Sequence, residues 1–258
     1  LMISLFSINI LKKQRLLIHG TSQRFYVING ERKPFFCSEK DDEKLFLKHQ
    51  KIFLNSIEID RKIFFRVNQV HGNYVCVLKD SDILVSDVGK IEADAIITHI
   101  PNCPIAVLTA DCVPITIYDP IKHVAGLVHA GRMGTQKNIL TNTIEALTRE
   151  YGSSPKDLIV GMGPAIRGCC YEVNEFSALP FIKKHSLCSE FIKKTEKNKF
   201  FLDLPMINRF EGCEAGVLIE NIHADGPCTV CENHRWYSYR KEGKTGRLVT
   251  LAMLQSRK

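Results

Sequence analysis

A run of four short apolar segments in the middle of the chain is the feature that most restricts its fold. Each segment has four or five residues and is bounded by proline, aspartate or glycine. Runs of this length are typical of buried β-strands, whereas helices usually need at least about ten residues. The sequence therefore predicts buried strands at Ala95–Thr98, Ile105–Thr109, Pro114–Tyr118 and Val124–Val128.

Periodic apolar positions on either side of this centre predict helices. The run Thr135–Tyr151 carries four large apolar residues on one helical face. Gly152 follows at the position where a C-cap glycine would end that helix. Further helices are predicted over Asp42–Asn55, part of Asn174–Lys197, and Leu204–Cys213.

The remaining strands are predicted from segments rich in β-branched and aromatic residues. These segments are Leu16–Gly20, Ile63–Val67, Tyr74–Leu78, Leu158–Met162, Val217–Ile222, Trp236–Tyr239 and Arg247–Leu254. Residues 30–44 are polar and rich in turn-forming residues. Because strands and helices are mixed without strict alternation, the sequence predicts a layered structure of the α/β or α+β class.

Length and composition predict one globular domain. No Gly/Ser/Pro-rich linker divides the 258 residues, so we expect a single domain over residues 1–258, with its core over residues 16–254. Hydrophobic residues make up 45% of the chain and charged residues 24%, which is ordinary for a globular protein. We therefore expect disorder only in short stretches.

The net charge of +7 does not by itself indicate a nucleic-acid partner. The segment Phe181–Lys199 holds six lysines and two glutamates, so it accounts for +4 of the excess. Lysines without interleaved stacking aromatics or a nucleic-acid-binding motif are a weak binding signal. We expect this segment to form a solvated helical surface, and we expect no nucleic-acid binding.

The cysteine content favours a reducing compartment. Ten cysteines are about 4% of the chain, below the range of disulfide scaffolds, and several lie in apolar runs. The apolar start, Leu1–Leu11, precedes two lysines instead of following a basic region, so we expect no secretory signal. The longest uncharged run, Ala95–Ala110, contains two prolines and is too short to span a bilayer. We therefore expect a cytoplasmic protein with reduced thiols and no membrane contact.

Three residues at predicted strand ends form a candidate metal site. His71 precedes a glycine, Cys112 follows the strand that ends at Thr109, and His129 precedes an Ala-Gly pair. Small residues at these places let the backbone approach a ligand closely. Two imidazoles and a thiolate are a borderline-soft set that can hold zinc with one position left open. A histidine or cysteine of this kind is more often structural than a metal ligand. The hypothesis therefore depends on all three residues, His71, Cys112 and His129 (the metal triad), lying at strand ends beside small residues.

A second metal site is a weaker hypothesis. The CxxC sequence at 228–231, with His223 or His234, offers half of a structural zinc site. No second CxxC motif completes it. For the adjacent pair Cys169–Cys170 we expect packing or thiol reactivity in preference to metal binding.

Glycine-rich and arginine-bearing loops suggest anion binding only weakly. The loop Gly161–Gly168 follows a predicted strand but fits neither the Walker pattern nor GxGxxG. Arginines near glycines can grip an anion bidentately. Any single arginine, however, more often forms a surface ion pair of about 0–1 kcal/mol. The arginines in question are Arg24, Arg132, Arg167 and Arg240.

A set of motifs in register along the chain resembles the YfiH-like family. Its members are also described as multicopper polyphenol oxidases (laccase-domain proteins) and as purine nucleoside phosphorylases. The likeness extends from His19 to Leu254. The motifs are QVHG at 69–72, ADAIIT at 93–98, TADCVPI at 109–115, HAG at 129–131, GPAIRGCCYEV at 163–173, CT at 228–229, SYR at 238–240 and GKTGR at 243–247.

This resemblance implies a single four-layer α/β/β/α domain with the fold of YfiH-like cysteine hydrolases. It implies a zinc site on the histidine of QVHG, the cysteine of TADC and the histidine of HAG, which are His71, Cys112 and His129. The implied activity is phosphorolysis of adenosine, inosine, guanosine and methylthioadenosine with inorganic phosphate, together with adenosine deamination. Copper-dependent phenol oxidation and peptidoglycan-precursor editing are alternative activities attached to the family. We expect a monomer or a homodimer.

The sequence departs from the family pattern in three places. The family usually continues HAG with Trp-Arg-Gly, whereas this chain has Arg132, Met133 and Gly134. The tryptophan is therefore lost and the arginine comes one position early. Arg240 is followed by a lysine where a second arginine is common, and the glycine-rich segment at 24–30 is eroded. The metal triad is retained.

Five other residues are candidates for substrate binding. For phosphorolysis, phosphate must be held beneath the ribosyl carbon, and Arg24, Arg132 or Arg240 is predicted to hold it. Asp111 or Glu172 is predicted to protonate or steady the departing base. The sequence does not choose among them. For deamination, zinc on the triad would activate water for attack on purine C6.

Three rival interpretations of the same residues remain. In the first, Cys112 is a metal-free nucleophile activated by His71 or His129. In the second, the protein is a copper polyphenol oxidase, although a laccase mechanism needs several coppers and many histidines, and one constellation is visible. In the third, the protein binds a partner through a degenerate site, which the altered pair Arg132–Met133 would fit.

Overall fold

The chain folds into short strands and helices that closely follow the apolar segments of the sequence. The computed structural model describes residues 3–36, 43–61, 63–79, 89–184, 188–195 and 198–257. The strands are β1 Leu5–Phe6, β2 Leu17–Ser22, β3 Phe25–Ile28, β4 Glu31–Pro34, β5 Val75–Leu78, β6 Ala95–Thr98, β7 Ile105–Thr109, β8 Val113–Asp119, β9 Val124–Ala130, β10 Ile159–Met162, β11 Glu172–Asn174, β12 Ile192–Lys194, β13 Lys199–Leu202, β14 Ile222–His223 and β15 Leu248–Leu254. The helices are α1 Asn9–Lys12, α2 Glu43–Ser56, α3 Arg132–Gln136, α4 Ile139–Tyr151, α5 Glu175–Lys184, α6 Leu204–Glu214 and α7 Tyr239–Glu242.

Two large sheets contain most of these strands. One has six strands in the order β14-β10-β8-β9-β6-β5, and the other has four in the order β1-β2-β15-β7. The antiparallel pair β8 and β9 aligns Val113 with Ala130 and Pro114 with His129. Cys112, one residue before β8, therefore lies beside the end of β9. A three-stranded sheet, β11-β13-β12, and the hairpin β3-β4 complete the described strands.

Both faces of each large sheet are apolar. A strand directs successive side chains to opposite faces. In β9, Leu127 belongs to the core between the two sheets, whereas Val128 belongs to the core beneath α4. In β15, Ala252 belongs to the core between the sheets, whereas Leu251 packs with Phe53 of α2. Each sheet therefore needs an apolar cover on its outer face.

Helices provide these covers and give four layers. Helix α2 lies over the four-stranded sheet, and α4 and α6 lie over the six-stranded sheet. The order is helix, sheet, sheet, helices, which confirms the predicted α/β class and the four-layer α/β/β/α arrangement.

The central strands and the long helix are confirmed. Strands β6 and β7 have the predicted bounds, and β8 and β9 extend the predictions by one or two residues. The predicted helix Thr135–Tyr151 is divided, because Asn138 adopts a left-handed conformation with φ of 65° between α3 and α4. Gly152 ends α4 with φ of 65°, as predicted for a C-cap.

Two predicted strands near the C-terminus are wrong. The segment Trp236–Tyr239 is apolar because Trp236 and Tyr237 pack with Leu248 in a separate small core. Ser238 then caps α7 by accepting a hydrogen bond from the backbone N–H of Lys241. Half of the predicted strand Val217–Ile222 is instead a single 3-10 turn, Ile219–Asn221, before β14. The buried residues of the irregular segment around Trp236 thus gave the same run of apolar residues in the sequence as a strand would.

Other predictions fail or fall outside the described residues. The predicted strand Ile63–Val67 contributes only one bridge, between Phe65 and Ile105. The segment predicted as turn-rich, residues 30–44, contains β4, and residues 37–42 within it lie outside the described part of the chain.

The lysine-rich segment Phe181–Lys199 does not form one helical surface. Helix α5 ends at Lys184, and Lys194 lies on β12 opposite Phe200 of β13. The buried Phe200 holds this part of the segment in a sheet. Residues 185–187 and 196–197 lie outside the described residues. In the described ranges, no helix has both the length and the apolar character that a membrane crossing requires.

Candidate metal centre

One buried carboxylate connects the two histidines of the triad. Asp94 immediately precedes β6 and is fully buried. Its Oδ1 accepts hydrogen bonds from the backbone N–H of His71 at 3.0 Å and from Nδ1 of His129 at 2.8 Å. Its Oδ2 accepts the backbone N–H of Gly72 at 2.6 Å and that of Val70 at 3.3 Å. Asp94 therefore fixes both the loop that carries His71 and the ring of His129.

The structure brings the three predicted metal ligands together. The candidate donor atoms of His71, Cys112 and His129 all lie within 4.8 Å of one another. Sγ of Cys112 is 3.9 Å from Nε2 of His71. The two imidazole rings meet edge to face, with centroids 4.8 Å apart and an angle of 80° between their planes. Residues far apart in sequence thus form one compact donor set.

The local backbone leaves space for this cluster. His71 has a φ of 57°, a left-handed conformation that turns its loop back at Gly72. The side chain of Gln69 both donates to and accepts from the backbone of Leu108, which ties the loop to β7. At Gly131 a Cβ atom would lie only 2.9 Å from Sγ of Cys112. Only glycine fits between β9 and the triad at that position.

Charge in the triad is shared between a thiolate and an imidazolium. Burial opposes ionisation of Cys112, but His129 and His71 outweigh it and lower its pKa to about 6. Burial also opposes protonation of His129, but Cys112 and Asp94 raise its pKa to about 9. The pKa of Asp94 is lowered, since His129 and backbone N–H groups outweigh its burial. Cys112 therefore offers a thiolate, the form that binds metals, near neutral pH.

The geometry and chemistry of the donors fit zinc. Zinc bonds of about 2.0–2.3 Å to nitrogen and sulfur place tetrahedral donor atoms about 3.3–3.8 Å apart. The 3.9 Å between Cys112 and His71 is close to that range. Because Asp94 accepts from Nδ1 of His129, Nε2 of that ring is left for a metal. A carboxylate behind a histidine is the usual way in which a protein orients a metal-ligating imidazole.

Other histidines serve structural contacts. Nε2 of His19 accepts the backbone N–H of Ile8, and Nδ1 of His49 accepts that of Phe36. The ring of His123 makes hydrogen bonds to Tyr118 and to a backbone carbonyl. In the part of the chain that the structure describes, the triad is the only histidine-containing cluster of three or more metal-ligating side chains.

Tyr171 and two arginines lie next to the triad. Arg132, Arg240 and Cys112 all interact electrostatically with the Tyr171 hydroxyl. The Arg240 guanidinium lies over the Tyr171 ring, 4.9 Å from its centroid, and donates to the backbone carbonyl of Glu172. Tyr171 lies within the GPAIRGCCYEV motif, yet the sequence assigned it no role.

The Asp111 carboxylate is occupied by protein donors. It accepts the Thr229 hydroxyl at 2.5 Å and the backbone N–H of Arg240 at 2.6 Å. Asp111 is buried and has a φ of 92°. These contacts give Asp111 a structural role, and its contact with the departing base stays a prediction. The residue holds the segment that carries Arg240 in place.

Arg24 and Glu172 are engaged in ion pairs. Arg24 pairs with Glu242 at 2.9 Å, and its guanidinium also lies over the ring of Tyr237. Glu172 pairs with Lys199 at 2.6 Å. To bind substrate, Arg24 would have to leave Glu242, and Glu172 would have to leave Lys199. Their roles in substrate binding stay predictions.

The Gly161–Gly168 loop is filled by the protein itself. Arg167 binds Asp203 at 3.2 Å and donates to the carbonyl oxygens of Ala224 and Gly226. The backbone of Ala165 pairs with the segment around residue 228. Arg167 and Ala165 of this loop are therefore engaged in contacts within the protein, and phosphate binding by the loop stays a prediction.

A second cluster consists of four cysteines. Donor atoms of Cys169, Cys170, Cys228 and Cys231 all lie within 4.8 Å of one another. The structure thus joins the CxxC sequence to the adjacent cysteine pair. It does not group either of them with His223 or His234, so the expected partners of the CxxC sequence were wrong.

The chain is similar to several known proteins over most of its length. The chain is 35% identical over 221 residues to purine nucleoside phosphorylase YlmD of Bacillus subtilis, covering 81% of this chain and 77% of that protein. It is 28% identical over 217 residues to mouse purine nucleoside phosphorylase LACC1 and spans 47% of that longer protein.

A solved structure shares the fold throughout. The structure of the hypothetical protein YfiH of Bacillus licheniformis superposes with a TM-score of 0.86 at 26% identity, covering 98% of this chain and 97% of that one. The family model described as multi-copper polyphenol oxidoreductase laccase matches residues 20–255. This match includes every residue of the triad. The chain therefore belongs to the multi-copper polyphenol oxidoreductase laccase family, which includes the YfiH and YlmD proteins.

Proposed function

We propose that this protein is a zinc-dependent purine nucleoside phosphorylase centred on His71, Cys112 and His129. The observation that carries the proposal is that the donor atoms of these three residues lie within 4.8 Å of one another, while the buried Asp94 holds the ring of His129 and the backbone of His71. The names of the YlmD and LACC1 relatives give the reaction class. We also propose that the same centre deaminates adenosine, since the three donors leave one tetrahedral position open.

The residues of the triad prepare the metal site before a metal arrives. Asp94 holds His129 with Nδ1 donating, so Nε2 is the ring nitrogen available to a metal, and it loses its proton when a metal binds. Cys112 is a thiolate near neutral pH because of its imidazole neighbours. When bound, zinc supplies Lewis acidity toward water or a substrate atom at the fourth position.

Arg132 and Arg240 are the arginines best placed to hold phosphate. Both interact with Tyr171, whose hydroxyl also interacts electrostatically with Cys112, whereas the guanidinium of Arg24 is paired with Glu242. A guanidinium binds two phosphate oxygens at once and so fixes the orientation of the ion. Holding phosphate and nucleoside side by side converts a bimolecular reaction into a positioned one.

Tyr171 is a candidate hydrogen-bond donor to the reacting nucleoside. Burial raises the pKa of its hydroxyl, so the group stays protonated at neutral pH. The departing purine gains negative charge as its bond to the ribosyl carbon breaks, and a donor stabilises that charge.

A copper-dependent polyphenol oxidase is the second candidate. Two histidines and one cysteine are also ligands of copper electron-transfer sites, and the family description names copper. A laccase mechanism, however, needs further histidine-rich copper sites. His19, His49 and His123 are engaged in protein hydrogen bonds, which favours the zinc enzyme.

The proposal is tested with purified, metal-analysed protein. Adenosine and inosine are incubated with and without phosphate, and the products are separated by liquid chromatography. We expect adenine and hypoxanthine only with phosphate, and inosine from adenosine without it. Cys112→Ala should lose all these products, and Cys213→Ser, a cysteine outside both clusters, should retain them.

Other outcomes would overturn the proposal. Oxidation of a phenol such as syringaldazine by copper-loaded protein, without nucleoside turnover, would support the oxidase. Turnover of a peptidoglycan precursor alone would indicate an editing hydrolase. No turnover by a folded, zinc-loaded protein would indicate a binding protein with a degenerate site.

A further inference from the structure

Four cysteine sulfurs meet where two turns of the chain approach each other. Cys169 and Cys170 lie in the turn before β11, and Cys228 and Cys231 lie in a turn that precedes α7. Sγ of Cys231 is 3.6 Å from Sγ of Cys169 and 3.4 Å from Sγ of Cys170. All four side chains are free thiols in the structure.

These separations match a tetrahedral metal site. Four sulfurs bound to zinc at about 2.3 Å lie about 3.8 Å from one another. The measured distances of 3.4 and 3.6 Å lie close to this value, and every pair in the cluster is within 4.8 Å. A small rearrangement of side chains is enough to place all four sulfurs around one ion.

Backbone contacts hold the two turns together independently of the sulfurs. Ala165 pairs with Cys228 as in a parallel sheet, and the N–H of Thr229 donates to the carbonyl of Ala165 at 3.0 Å. The N–H of Ala165 in turn donates to Pro227 at 3.1 Å. The cysteines are therefore presented by a fixed scaffold, which lowers the entropy lost when they bind an ion.

The sulfur of Cys228 has the surroundings of a metal-bound thiolate. The backbone N–H groups of Cys231, Val230 and Arg167 point toward it. Backbone donors around a ligating sulfur are the outer-shell contacts that orient and stabilise metal ligands. Cys228 is buried while Cys169 and Cys231 are exposed, so an ion can reach the cluster from solvent.

We propose that Cys169, Cys170, Cys228 and Cys231 form a second, structural zinc site. Four thiolates fill every position of a tetrahedral zinc, so the site is closed and fastens the two turns together. It is separate from the triad, which offers one sulfur and two imidazoles.

The position of the cluster connects it to the residues around the triad. Tyr171 directly follows Cys170. Thr229, between the two cysteines of the CxxC sequence, donates to Asp111, and Asp111 accepts the backbone N–H of Arg240. A zinc on the four cysteines therefore braces the segments that carry Tyr171 and Arg240.

The test is the zinc content of the full chain, purified with reductant and zinc and then equilibrated against a weak chelator. We expect two zinc ions per wild-type chain and one in the double variant Cys228→Ser/Cys231→Ser. Cys112→Ala should also retain one, and the matched control Cys213→Ser should retain two. One zinc in the wild type that disappears entirely in Cys112→Ala would overturn the proposal, as would two zinc ions in the double variant.

A second measurement does not depend on the folding of the double variant. Cys112→Ala keeps all four cysteines of the cluster, and its zinc is exchanged for cobalt(II). We expect intense thiolate-to-cobalt charge-transfer absorption with a stoichiometry of one. Absence of this band, or a disulfide between Cys170 and Cys231 in freshly reduced protein offered cobalt, would overturn the proposal. Neither readout depends on catalytic activity. If the triad held no zinc, the counts for the wild type and the double variant would each fall by one, and the difference of one ion between them would remain.

Discussion

Nδ1 of His129 donates to Oδ1 of Asp94 over 2.8 Å, and both side chains are almost fully buried. The same oxygen accepts the backbone N–H of His71 at 3.0 Å. One carboxylate thus sets the orientation of one imidazole and the backbone position of the other. The metal centre is built around a residue that does not itself belong to the ligand set.

Replacement of Asp94 by asparagine should therefore weaken zinc binding. The asparagine amide has one oxygen, so it cannot accept from His129 and from all the backbone N–H groups that the carboxylate binds. It also carries no charge to favour a proton on Nδ1 of His129. Loss of such outer-shell partners typically costs about 10- to 100-fold in metal affinity. Competition with a chromophoric chelator measures the zinc affinity of Asp94→Asn. The exposed Asp60→Asn serves as the matched control, and equal affinities of the two variants would contradict the role of Asp94.

Removal of Arg132 or Arg240 should raise KM for phosphate more than it lowers kcat. A hydrogen bond to a charged group contributes about 1.5–3 kcal/mol, which corresponds to about 10- to 100-fold in affinity. Initial rates of phosphorolysis at varied phosphate concentrations measure the effect in Arg132→Ala and Arg240→Ala. Arg149→Ala, an exposed arginine paired with Glu150, should match the wild type. An unchanged KM in both variants would place phosphate elsewhere.

Cys112 should react as a thiolate in the metal-free protein at unusually low pH. The neighbouring imidazoles lower its pKa to about 6 against the opposing effect of burial. Alkylation by iodoacetamide, followed by peptide mass spectrometry, should show a rate midpoint near that pH. Burial raises the pKa of Cys213, so this internal control should react only at higher pH. Equal midpoints for the two cysteines would rule out the pairing of a Cys112 thiolate with a His129 imidazolium.

His19 should make the folded protein sensitive to acid. Burial, the largest cause, lowers its pKa to about 4, while its ring accepts the backbone N–H of Ile8. The unfolded chain binds a proton at this histidine near pH 6.5, whereas the folded chain does not until about pH 4. This contribution to stability is therefore complete above pH 6.5 and is lost as the pH falls toward 4.

Linkage gives the size of the His19 effect. Between pH 7 and pH 5 it should remove about 2 kcal/mol of the free energy of unfolding. Urea unfolding at both pH values measures the loss. In His19→Gln, which keeps a side-chain acceptor but does not titrate, the difference between the two pH values should shrink by that amount. An unchanged difference would show that His19 does not titrate as described.

The strands and the triad could be predicted because their signals are local. Short apolar runs between turn residues locate the central strands without knowledge of their pairing. The triad is recognisable because its members stand beside small residues at strand ends. The resemblance then added the four-layer order, which no local pattern in the sequence contains.

Asp94 could not be assigned from the sequence because its role depends on strand pairing. Strand β6 pairs with β9, with Ala95 opposite Val128, and this brings Asp94 to a histidine 35 residues away. The four-cysteine cluster was missed for a similar reason. Only the pairing of Ala165 with Cys228 brings the adjacent pair and the CxxC sequence together.

The most direct test of the zinc phosphorylase is metal reconstitution. Protein stripped with a chelator is reloaded with two equivalents of zinc or of copper, enough for the triad and the four-cysteine cluster, and hypoxanthine release from inosine is followed with and without phosphate. We predict phosphate-dependent release that disappears on stripping, returns with zinc and does not return in Cys112→Ala. Full activity of the stripped protein, or recovery with copper alone, would contradict the assignment of a zinc centre to His71, Cys112 and His129.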